Sequence, residues 1–101
     1  MTVVFHGEAL RELRKAIEWY VADAGQEQGN RLAGLVDETV RDIVRAPAVF
    51  PVDPERPWAR RARVFGWPYS VVFTVADDET IIVLALAHAK RKPGYWRPRR
   101  I

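Results

Sequence analysis

The chain has 101 residues, 49% of them hydrophobic and 29% charged, which is the composition of one globular domain with a single modest core. It contains no cysteine and only His6 and His88, so disulfides, thiolate chemistry and the usual zinc-ligand spacings are excluded, and no metal or cofactor is implied. No apolar run approaches a membrane span and no signal-peptide pattern opens the chain, so a cytoplasmic location is expected.

The elements follow in order. Thr2–Phe5 is short and β-prone and predicts a strand. Leu10, Leu13, Ile17, Tyr20 and Ala24 then recur at helical spacing, and Gly25 is a suitable stop. Trp19 and Tyr20 are expected in the core or between helices. A second helix is predicted from about Gln26 to Arg45, with Leu32, Leu35, Val36, Thr39, Val40 and Ile43 on one face. Asp37 and Arg41 form an i,i+4 pair on it, beside a solvated acidic face of Asp37, Glu38 and Asp42. Gly34 weakens this helix unless a neighbour packs closely there. From Ala46 to Trp58, Pro47, Pro51, Pro54 and Pro57 predict an ordered loop without regular structure.

The period then switches to two. Arg60–Phe65 predicts a strand with Arg61 and Arg63 on one side, and Gly66-Trp67-Pro68 a turn. Tyr69–Val75 predicts a strand and Asp77-Asp78 a hairpin turn. Thr80–Ala87 is apolar on both faces and so predicts the central strand. The economical arrangement is an α+β sandwich: an N-terminal strand, then an antiparallel helical hairpin packed on one face of a small, mainly antiparallel twisted sheet (β-α-α-β-β-β). The other face is left for a ligand or partner.

Charge is divided unevenly along the chain. Residues 1–55 carry six Lys/Arg against ten Asp/Glu, a net −4, whereas residues 56–101 carry ten against three, a net +7. A positive field of that density implies an anionic partner, nucleic acid or an acidic protein segment, unless it is simply a solvated surface.

Several local sequences in this order resemble the RelE/ParE toxin superfamily. They are Ala16-Ile17-Glu18-Trp19-Tyr20, Ile43–Pro51, Arg60-Arg61, Trp67-Pro68-Tyr69-Ser70-Val71-Val72-Phe73, and Leu84-Ala85-Leu86-Ala87-His88 followed by Arg91, Pro93, Tyr95 and Trp96. The resemblance covers nearly the whole chain as one domain. It implies the growth-inhibiting toxin of a type II toxin–antitoxin system of the plasmid-stabilising kind, held by a cognate antitoxin in a hetero-oligomer. Two activities occur in the superfamily: action on DNA gyrase, and cleavage of mRNA in the ribosome. For cleavage, His88, Arg91 and Tyr95 are the candidate catalytic residues, since attack by a ribose hydroxyl needs a base, a phosphate clamp and an acid. The structural alternatives are a strand-end histidine and aromatic residues that close the sheet. For contact with target or nucleic acid the candidates are Arg60, Arg61, Arg63, Lys90, Arg91, Lys92, Trp96 and Arg97. The chain departs from the nuclease pattern: where those members carry lysines it has Arg56, Arg60, Arg61 and Arg63, and Ala89 falls near the position of a catalytic arginine. Whether it is an enzyme stays open at this point; the gyrase-directed alternative is slightly favoured over mRNA cleavage, and a non-toxic basic binding protein of the same fold is the second alternative.

Overall fold

The computed structural model describes residues 1–99. The elements run β1 (Thr2–Phe5), α1 (Gly7–Ala24), α2 (Gln26–Arg45), a 3-10 turn (Pro47–Val49), β2 (Arg60–Arg63), β3 (Tyr69–Asp77) and β4 (Thr80–His88). The sheet order is β1-β4-β3-β2. β4 pairs antiparallel with β3 and parallel with β1, so the sheet is mixed, with β4 inside it as its apolar run predicts.

His6 starts α1 by accepting the Glu8 N–H at Nδ1, 3.0 Å, which satisfies one of the orphan donors of the first turn. The expected α1 stripe holds in its middle, but Ala9 replaces Leu10 at its start and Ala24 is exposed. Ala9 and Ala16 are its buried residues, Leu13, Ile17 and Tyr20 pack partly, and Leu10 is exposed. Small side chains let the helix lie close to β4, and a leucine stripe would hold it off. Gly25, at φ +96°, turns the chain directly from α1 into α2, where Leu32, Val36, Thr39 and Ile43 are buried as expected. The close approach between the helices is at Gly29, where a Cβ would strike the Val21 side chain; Gly34 faces open space. The proline-rich loop is not wholly irregular. Pro47 sits at the start of the 3-10 turn, where a missing N–H costs nothing, and Val52 bridges Arg60.

Alternation in β2 and β3 sorts the side chains into two cores. Ala62, Val64, Val71 and Phe73 face the helices with Ile81, Val83 and Leu86 of β4. A bulge against Val72/Phe73 leaves Leu84 unpaired, and Leu84, Ala85 and Ala87 join Val72 and Ala59 in a second core on the outer face. That core is closed by Trp96, which is 2% exposed. The outer face, expected from the sequence to be left for a ligand or partner, is therefore only half free; the C-terminal segment covers its β4 half. No helix among the described residues is long and apolar enough to cross a membrane.

Candidate target-binding face

The uncovered half of the outer face belongs to β2 and the start of β3. Because Ala62 and Val64 enter the core, Arg61 and Arg63 must point outward, with Ser70 opposite Arg63 in the register. These side chains, with Pro51, Pro68, Tyr69 and Ala89, line an open cavity of ≈ 400 Å³. A smaller one of ≈ 80 Å³ adjoins it, sharing Arg61 and Ala89 and bordered by His88, Arg91, Lys92, Tyr95 and Trp96. The linings hold four cationic side chains and no carboxylate. Two arginines spaced i,i+2 on a strand stand about 7 Å apart, and each presents a planar fork suited to a carboxylate or phosphate.

The expected contact residues do not all share this surface. Arg60 lies on the helix side, where its guanidinium donates to the carbonyls of Phe50 at 2.6 Å and Ala48 at 3.4 Å. Trp96 is a correction: it is buried in the second core with Ala59 and Leu84, and Trp58 stacks edge-on at 5.7 Å. An indole placed there supports the face from beneath and touches no partner. Lys90 and Arg97 are exposed, the latter beside Arg56 and Lys92 around a further cavity of ≈ 340 Å³.

His88, Arg91 and Tyr95 do meet at the small cavity together with Arg61. His88 Nδ1 accepts the Lys90 N–H at 3.0 Å, which places the proton of the neutral ring on Nε2 as a hydrogen-bond donor. Its ring meets Tyr69 edge-on at 5.1 Å. Arg91 lies over the Tyr95 ring at 3.8 Å, a cation–π contact. The Tyr95 hydroxyl donates to Glu12 Oε2 at 2.7 Å. Burial, and then the bond to that carboxylate, push the Tyr95 hydroxyl well above the ordinary tyrosine range, so it holds its proton tightly. Burial, followed by Tyr20, also raises Tyr69.

Three other features were missed in the sequence. Glu12 and Lys15 looked like ordinary polar residues between core positions, yet they line a cleft of ≈ 260 Å³ between α1 and β4, with Trp19, Tyr69, His88 and Arg91. Trp19, expected in the core, is 58% exposed, and its edge rests on Tyr20, which in turn meets Trp67. Arg56, with its side chain 12% exposed, lies over Trp96 and against Gly94, and it is paired with the buried Asp53 at 3.3 Å. Pro47, Pro51, Pro54 and Pro57 signalled a loop in the sequence, and nothing there signalled a buried ion pair. Among the described residues no group of three or more His, Cys, Asp or Glu is placed to hold a metal ion.

Comparison with known proteins decides the family. The family model described as "ParE toxin of type II toxin-antitoxin system, parDE" matches residues 3–93. The chain belongs to the ParE toxin family. A chain of the chromosomal ParDE toxin–antitoxin system from P. aeruginosa has the same fold at a TM-score of 0.74, with 22% identity, covering 87% of this chain and 95% of that one. No curated protein matches in sequence. The ParE match ends at Pro93, so Tyr95 and Trp96, two residues of the resemblance, lie beyond it. Membership of the ParE family makes this chain the toxin of a type II toxin–antitoxin system.

Proposed function

We propose that this ParE-family toxin arrests growth by acting on DNA gyrase, and that the outer basic face is its contact surface. One observation carries the proposal: Arg61, Arg63, Arg91 and Lys92 line adjoining cavities that contain no carboxylate, while the Tyr95 proton is held by Glu12. A surface of this kind is suited to binding, because arginine is a clamp and a poor base. Purified toxin is expected to inhibit gyrase supercoiling or to accumulate gyrase–DNA cleavage complexes. Normal supercoiling at saturating toxin would refute the reading.

The cognate antitoxin is the second partner. An acidic segment of it, laid over the net +7 half of the chain, would mask the same surface, and complementary charge would speed its association. The complex should co-purify when both are expressed together.

A second reading, ribosome-dependent mRNA cleavage, is favoured by the convergence of His88, Arg91, Tyr95 and Arg61 on one cavity. The arginines would bind the phosphate there, and the His88 Nε2–H would donate a hydrogen bond to it. Cleaved transcripts in a translation extract, lost in Arg91→Ala and His88→Ala, would support it. Intact transcripts at toxin concentrations that stop growth would exclude it.

A further inference from the structure

β4 outlasts its neighbour on one side. β1 ends at Phe5, where the His6 N–H donates to the Val83 carbonyl at 2.8 Å, and the chain then turns away into α1. Beyond Val83 the bulge at Leu84 leaves a carbonyl and an N–H on an edge with no strand beside it. Buried backbone groups of this kind need partners. Side chains supply them: Arg99 donates to the Leu84 carbonyl at 2.8 Å, and Glu12 accepts the Leu86 N–H at 3.1 Å. The two side chains together stand where the next residues of β1 would be.

Glu12 is also the point where three separate parts of the chain meet. Besides Leu86, its carboxylate accepts the Tyr95 hydroxyl at 2.7 Å and both terminal nitrogens of Arg99 at 2.9 Å, with Arg91 at 4.0 Å. At 17% side-chain exposure those bonds occupy the lone-pair positions of a carboxylate, and little is left to bind a ligand. The Ala89 N–H donates to the Pro68 carbonyl at 2.8 Å; beyond it come local i→i+3 turns, such as Arg91 to His88, Tyr95 to Lys92 and Arg99 to Trp96. Such turns shape the segment without fixing it on the body. The Ala89 bond fixes the start of the segment and Trp96 in its core pocket fixes its far end, with Arg91 and Lys92 between them. Glu12 holds that intervening stretch through Tyr95 and Arg91.

We infer that Glu12 is a positioning residue of the target-binding face: from α1 it locks the segment carrying Arg91 and Lys92 against the open edge of β4. The inference rests on the proposed role of that face, but the lock itself can be tested independently.

The test compares the wild type with Glu12→Gln and Arg99→Ala, using amide hydrogen exchange, thermal melting and inhibition of gyrase supercoiling. Gly29→Ala serves as a control that weakens the helical hairpin far from the segment. With the fold retained, both clamp variants are expected to lose at least tenfold in protection of the Leu86 amide. They are also expected to need at least tenfold more toxin for half-inhibition. Gly29→Ala should melt earlier and keep its potency at a temperature where it remains folded. Unchanged Leu86 protection in both clamp variants overturns the inference, and so does lost protection with unchanged potency. If Glu12→Gln fails to fold, Arg99→Ala carries the same prediction. If the wild type leaves gyrase untouched, the gyrase reading fails separately. Growth arrest on induced expression then replaces half-inhibition as the measure of potency for the same variants.

Discussion

Tyr95 illustrates how one hydrogen bond alters what a residue can do. The sequence offers a tyrosine among arginines, a setting that would ease ionisation, and the fold buries the ring and places its hydroxyl on Glu12. The opposing pull of Arg91 and Arg99 is smaller, and the proton is held more tightly in the fold than in the unfolded chain. The stability linked to this proton is therefore fully present below the ordinary value of 10.0 and is lost as pH rises from there toward the raised folded value. Tyrosinate absorbance should show a high-pH step, coupled to alkaline unfolding, that disappears in Tyr95→Phe. At neutral pH the same variant should lose about 1–2 kcal/mol, measured by urea unfolding, because a buried hydrogen bond to a charged group is removed. Trp96→Ala should be costlier, at roughly 3–5 kcal/mol, since it empties the second core; the same unfolding experiment measures it.

At the scale of elements, the helical hairpin separates two glycines that look alike in the sequence. Gly29 lies against Ile17 and Val21 of α1, and Gly34 meets nothing. Gly34→Ala should raise stability by about 1 kcal/mol through helix propensity alone, and Gly29→Ala should lower it through the clash with Val21. Melting temperatures shifted in the same direction would contradict this account. Element types, their order and the central place of β4 were legible because hydrophobic period and turn residues are local signals. The burial of Ala9 in place of Leu10 was not, since both are acceptable stripe residues and only the distance to β4 chooses between them. Of the candidate site, strand alternation made legible that Arg61 and Arg63 share one side and Arg60 the other, but not which side faces outward, until the loop carbonyls of Ala48 and Phe50 took Arg60.

Over the whole molecule, charge and cover divide the surface. Exposed carboxylates of α2 lie in pairs such as Asp37 with Arg41 at 2.6 Å and Asp42 with Arg45 at 3.2 Å, which add little stability. The outer face keeps its arginines without such partners in the cavity linings. Reversing both, Arg61→Glu with Arg63→Glu, should leave the melting temperature within a few degrees and abolish growth arrest. The antitoxin's association rate should fall, and its dependence on salt should weaken. Stopped-flow mixing at several ionic strengths measures both effects.

The sequence alone determined the α+β order, the basic second half and the family, because composition, period and motif order are properties of the chain taken in line. Tertiary structure decided which residues of the basic segment face outward. Trp96 became a core residue and Tyr95 a donor to a helix eighty-three residues away, and the sheet's second face was half covered. The physical reason is the early end of β1, which leaves β4 with a carbonyl and an N–H to satisfy. Glu12 and Arg99, far apart in the sequence, meet there to satisfy them.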